Sequence, residues 1–369
     1  MSIRSAMSNN SSRYPLTHQS SNATASSHST SLLFVVLDSL YYTAGEKING
    51  EILLNIPHDH PESSLKLISR GTEKIKVSSL SKTNIIYSLE SSVKTWDKMT
   101  PAGQYIFPFT FKLPAFSPAT FNYVGEDEQG TELMAEVSYE VICALEFPSD
   151  EERNMTHSRN INVRNTMSKT QSNILWETNE LIKGMCCSSK GTTFFKVLVK
   201  RDQHPQTDSV VMFKLETDNN NCAASISKIK SQIKMELELQ LEGRTYTSFV
   251  VFNKNSKDTW ISSARSSFVM EKELEFESGI FFEPGINPSS NNTGNISCRY
   301  FIEFYVEYDA KLKNPVCLKI PMQVDPKFND LRENPTVPEN WSPRESPVYS
   351  AFVDESMSKN SQVINLFID

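Results

Sequence analysis

The sequence predicts an all-β protein: two consecutive β-sandwiches flanked by polar tails. Three observations lead there. Apolar residues recur at every second position in many short runs, which is the mark of half-buried strands. Turn residues separate the runs, as in sandwiches and barrels. The runs also fall into two sets of about 135 residues, each long enough to bury roughly two thirds of its unfolded surface.

Residues 1–30 contain sixteen Ser, Thr or Asn, too little apolar surface to offset ordering, and are expected to be disordered. The first sandwich is expected over 31–166. It opens with the continuous apolar run Leu32–Leu37, short and β-branched enough for a buried strand. Ile48, Gly50, Ile52, Leu54 and Ile56 then share one face, and Leu65 and Leu67 lead to a bend or bulge at Gly71. Phe107, Phe109, Phe111 and Leu113 alternate up to Pro114, and Pro108 places that strand at an edge or bulge. Ala135, Val137, Tyr139, Val141, Cys143 and Leu145 follow, with Ile161 and Val163 closing the set.

A linker is expected over 167–190, with Trp176, Leu181 and Ile182 in one helical turn or strap. The second sandwich, 191–325, begins with Phe195, Val197 and Val199, then Val211, Phe213 and Leu215. Its clearest segment is Ile229 to Leu241. Ile229, Ile233, Met235, Leu237, Leu239 and Leu241 lie on odd numbers, with Lys, Gln and Glu between them. Propensity favours a helix, but a helix with this pattern would be apolar all round. Period decides for a strand. Ile296 to Tyr308 and Val316 to Val324 repeat the alternation. Residues 326–369, with Pro335, Pro338, Pro343 and Pro347, read as a disordered tail.

Composition narrows the function. Thirty-seven basic residues against forty-four acidic give a net charge of −7 with no basic block, so nucleic acid is not an expected partner. Neither a membrane-spanning apolar stretch nor a secretory leader is found, so a cytosolic chain with reduced thiols is expected. The sequons at Asn10, Asn22, Asn154, Asn291 and Asn295 are then expected to carry no glycan. Phosphate-loop, dinucleotide, zinc-protease and nucleophile-elbow motifs are all missing. No enzyme, cofactor or metal site is expected. His58-Asp59-His60 reads as a polar loop between Pro57 and Pro61, and Glu126-Asp127-Glu128 as a solvated one.

Several of these segments resemble the arrestin family. Tyr41 to Gly50 resembles the Y-x-x-G-E-x-[IV]-x-G turn and second strand of the arrestin N-terminal domain. Pro101 to Pro114 resembles its G-x-[HY]-x-[FY]-P-F-x-F-x-L-P strand, and Ser117 to Tyr123 and Glu136 to Leu145 resemble the turn and strand that follow. Thr217 to Leu239 and Arg299 to Gln323 resemble the C-terminal domain less closely, and Asp202–Asp208 stands where a second Y-x-x-G-E turn belongs. The resemblance covers about residues 31–325. It implies two immunoglobulin-like, arrestin-type sandwiches that bind cytosolic parts of membrane cargo or receptors. It also implies a tail that recruits clathrin adaptors or ubiquitin ligases, with peripheral association at plasma membrane or endosomes. No P-P-x-Y motif is present. Glu345 to Tyr349 comes nearest, with Ser346 in the first Pro position.

Candidate partner-binding residues lie in the tail. Tyr349 and Phe352 fit Y-x-x-Φ, in which an extended segment seats alternate side chains in separate pockets. Leu366, Phe367 and Asp369 resemble the end of a clathrin box, and Asp325–Leu331 partly resembles an adaptor-binding tail. The tail's other expected behaviour is to fold back on a sandwich. Ser342-Pro343 and Ser346-Pro347 read as turns or as phosphosites that gate docking. Cys186 and Cys187, similar to a Cys-rich stretch of α-arrestin-like proteins, are candidates for lipidation as well as plain thiols. The expected function is therefore an endocytic or ubiquitination adaptor. A retromer-like coat subunit is the alternative, and a β-sandwich enzyme the remotest.

Overall fold

The computed structural model describes residues 31–164, 173–185, 188–200, 210–252, 259–260, 266–275, 291–309, 316–322, 324 and 351–352. Nearly all of them are strand, arranged in four sheets. Among them no helix is long and apolar enough to cross a membrane.

The first half supplies β1 (Leu32–Leu37), β2 (Tyr41–Thr43), β3 (Lys47–Ile56), β4 (His60–Val77), β5 (Leu80–Thr100), β6 (Gly103–Lys112), β7 (Phe121–Glu126), β8 (Glu132–Glu146) and β9 (Met155–Arg164). One sheet runs β1-β3-β6; the other runs β2-β9-β8-β4-β5, with β7 also on β8. Alternation explains both. Val35, Ile48, Ile52, Leu54, Phe107, Phe109 and Phe111 are buried from the first sheet, and Leu65, Leu67, Val137, Tyr139 and Val141 from the second. The bend expected at Gly71 is a register shift between Gly71 and Thr72. The missing side chain of Gly71 leaves room for the stacked rings of Tyr87 and Tyr139, 6.0 Å apart.

The second half supplies β10 (Asn173–Lys183), β11 (Ser189–Lys200), β12 (Val210–Asp218), β13 (Ile226–Leu241), β14 (Arg244–Val251), β15 (Thr259–Trp260), β16 (Phe268–Glu275), β17 (Asn291–Asn292), β18 (Ile296–Tyr308) and β19 (Val316–Met322). One sheet runs β10-β11-β12-β16 and the other β14-β13-β18-β17, with β15 on β13 and β19 on β18. Phe213 of β12 meets Phe304 of β18 edge-on at 4.8 Å, joining the two sheets through their buried faces.

Two differences from the sequence reading stand out. Residues 173–183, expected as linker with a helical turn or strap, form the edge strand β10, paired with β11 from Asn173↔Lys200 to Lys183↔Ser189. Trp176, Thr178, Glu180 and Ile182 turn towards the core while Leu175, Glu177, Asn179 and Leu181 face solvent. The polar residues on both faces hide that period. The tail expected to be disordered contributes a short strand, β20 (Ala351–Phe352). Residues 1–30 lie outside the described residues.

The halves meet through polar side chains. Tyr123 and Ser248 share a hydrogen bond of 2.7 Å, and the Ser248 hydroxyl also lies 2.7 Å from the Glu126 carbonyl. Asn295 donates to the buried Glu73 carboxylate at 2.7 Å, as does Asn84 at 2.8 Å.

Candidate partner-binding edge

Two of the segments that resemble the family, Tyr41 to Gly50 and Pro101 to Pro114, pair with each other at one end of a sheet. In the turn after β2, Gly45 adopts φ +82°, which a side chain would resist. Glu46 closes that turn by accepting the Thr43 N–H at 2.6 Å. Gly50 lies where β1, β3 and β6 pack closest. A Cβ there would sit 2.5 Å from the Val36 carbonyl oxygen and 2.6 Å from the Phe109 ring. From this turn a polar chain crosses the outer face. Tyr42 donates to Asp38 at 2.6 Å, Asn49 donates to the other Asp38 oxygen at 3.0 Å, and Thr110 donates to Asn49 at 2.9 Å. Burial first, then the Asp38 bond, pushes the Tyr42 hydroxyl well above its usual range, so it stays a donor.

The edge itself is β6. It pairs with β3 along its whole length, from Gly103↔Ile56 to Lys112↔Lys47, with Pro108 opposite Glu51. Polar backbone groups of successive residues point to opposite sides of a strand. A proline that leaves the β3 ladder intact therefore has its missing N–H on the outer side, where an edge tolerates it. Phe107, Phe109 and Phe111 anchor the strand from below.

On that outer side sits β20. Ala351 pairs with Phe109 and Phe352 with Thr110, in parallel, and β20 also lies beside β5. Next to it, three aromatic rings tie the edges of the two sheets together. Trp96 of β5 meets Tyr105 at 5.8 Å and Phe107 at 6.2 Å, and Tyr105 stacks on Phe107 at 6.0 Å. The Tyr105 hydroxyl donates to the Pro101 carbonyl at 2.8 Å, and burial followed by the Asp59 charge raises its pKa. This arrangement can hold an extended segment through main-chain hydrogen bonds.

Of the candidate tail residues, Phe352 is brought to β6. Tyr349, Leu366, Phe367, Asp369, Ser342, Ser346 and the segment 325–331 lie outside the described residues, as do Cys186 and Cys187. The loop read as polar is built that way: Asp59 accepts the Ala102 N–H at 2.8 Å, and His60 lies beside Phe147 and Arg153. Asp127 accepts the N–H groups of Thr131 and Gln129, and the Thr131 bond leads in holding its carboxyl below the usual range. Among the described residues no group of three His, Cys, Asp or Glu side chains is placed to hold a metal.

Two parts of the edge escaped sequence reasoning. Trp96 sits on β5, whose apolar residues keep no steady alternation because the β4–β5 register shifts three times. The Tyr42–Asp38–Asn49–Thr110 chain joins residues up to 72 positions apart, and its only sequence trace is the polar side of two motif strands. No family model matches the chain, and no curated protein matches it.

Proposed function

We propose that the chain is an arrestin-like adaptor. Two immunoglobulin-like sandwiches, the second extended by β10, present a sheet edge to extended cytosolic segments of membrane cargo or receptors. The tail recruits clathrin adaptors or ubiquitin ligases at plasma membrane or endosomes, with peripheral attachment only. One observation carries this reading: the parallel pairing of Ala351 and Phe352 on the outer side of β6. An edge that takes a strand from its own chain presents main-chain groups to an extended segment, as strand addition requires, and here the Trp96–Tyr105–Phe107 rings lie beside it. Phe352 is also half of the Tyr349–Phe352 adaptor signal. While it is paired on β6, its backbone is not available to an adaptor. Cargo that takes β6 would release the signal, so cargo capture and adaptor recruitment become one exchange.

The test is affinity purification with mass spectrometry from intact cells, comparing the full chain with one ending at Pro326. Clathrin adaptors or ligases should be recovered with the full chain alone, and cargo with both. Recovery of one stoichiometric partner by both chains would replace the adaptor with a coat subunit.

A further inference from the structure

The opposite edge of the same sheet is closed in a different way. β1 pairs with β3 on one side, and among the described residues no strand pairs on the other. Val35, in the middle of β1, is fully buried, so its amide needs a partner to avoid the penalty of an unsatisfied donor. That partner is a side chain of the facing sheet: the Val35 N–H donates to His157 Nδ1 at 3.1 Å, across 122 positions of sequence. His157 stands on β9 opposite Cys143 of β8, and the Phe34 ring meets it edge-on at 5.3 Å.

An imidazole accepts through Nδ1 only when that nitrogen has no proton, so Nε2 carries it. The groups around the ring keep it so. Burial comes first and the Arg159 charge on the same strand second; both hold His157 below its ordinary pKa. From β8, burial pushes the Cys143 thiol up to about 12, which leaves it neutral. From β1, Phe34 and Val35 bring no charge. No ion pair to His157 occurs among the described residues.

We propose that the Val35–His157 contact is an acid-released clasp on the edge of the first sheet. The neutral imidazole caps the β1 amide; protonation of Nδ1 sets two donors face to face and frees β1 from β9. The clasp stands whether or not the adaptor reading does. Its folded pKa lies below the unfolded value of about 6.5, so its contribution is complete above that pH. It is lost as the pH falls below it, because the unfolded chain takes up the proton first.

Hydrogen exchange of the full chain at about pH 7.5 and about pH 5, corrected for intrinsic rates, tests this. The β1 amides should lose roughly three- to tenfold protection in acid, while those in the centre of β3 keep theirs. In His157→Asn, whose Oδ1 accepts without titrating, β1 protection should be the same at both pH values. Equal losses in wild type and variant, or no loss in wild type, would overturn the clasp. Should the variant fail to fold, NMR titration of the wild type decides. The Val35 amide and the His157 ring must then share one midpoint; separate midpoints contradict the proposal.

Discussion

β6 and β18 are both long strands with a buried aromatic face, yet only one of them keeps an edge for a partner. β18 is flanked on both sides, by β13 and β19, and its outward side chains are sealed into a charged layer. Glu236 takes Lys319 at 2.7 Å and Arg299, which also reaches Glu238. Glu303 takes Gln232 and Tyr305 at 2.9 Å each, while Lys234 covers Phe249 and Lys319 covers Phe301. Among the described residues, β6 has one full-length neighbour, a proline on its outer side and two tail residues resting there. Charge and full pairing make β18 a structural centre. A proline on the outer side and short pairing beyond it leave β6 the strand whose outer partner we propose to be exchangeable.

Three changes probe that contrast. The largest effect belongs to Phe304→Ala, which removes the ring that meets Phe213 between the two sheets of the second half. Unfolding monitored by circular dichroism should show a loss of about 3–5 kcal/mol; a loss near that of a surface substitution would mean that β18 is not the centre described.

A smaller effect concerns pH. Burial alone would raise the Glu236 carboxyl, but the Lys319 hydrogen bond and the Lys319, Arg299 and Lys234 charges outweigh it and hold the pKa down. A depressed carboxyl contributes stability that is full above the ordinary Glu value of about 4.3 and is lost as the pH falls through the folded value. The β13–β18 layer should therefore keep the contribution of Glu236 down to the ordinary Glu range and lose it only below that. Glu236→Gln should cost on the order of 1 kcal/mol at neutral pH and flatten the acid limb of the stability curve. An unchanged acid limb would show that the layer's ion pairs contribute nothing.

The smallest stability change is expected for Pro108→Val, under about 0.5 kcal/mol, because the β3 ladder is untouched. Its signature lies elsewhere. Restoring an N–H to the outer edge should promote edge-to-edge association, measurable by light scattering. A variant that stays as monodisperse as the parent would place the missing N–H on the wrong side.

Much of this architecture was legible because strand period survives poor propensity. The Lys- and Glu-rich Ile226–Leu241 segment is a strand as its odd-numbered apolar residues require. Pro108, which marks an edge or a bulge, lies on β6, whose full-length pairing is with β3 on one side. β10 was missed because Thr178 and Glu180 occupy inward positions, and β5 because its register shifts scramble the alternation. The motif residues were visible as a pattern, but their reasons were not: the positive φ of Gly45 and the crowding at Gly50 exist only once β1, β3 and β6 are assembled. Long-range polar pairs such as Glu73–Asn295 and Tyr123–Ser248 leave no periodic trace at all.

The central claim is that β6 exchanges its outer partner. Hydrogen exchange along β6, in the full chain and in one ending at Pro326, tests it most directly. Removal of the tail should raise exchange at the Thr110 amide, and a peptide spanning 345–356 should restore protection. Unchanged protection of β6 after truncation would contradict the account.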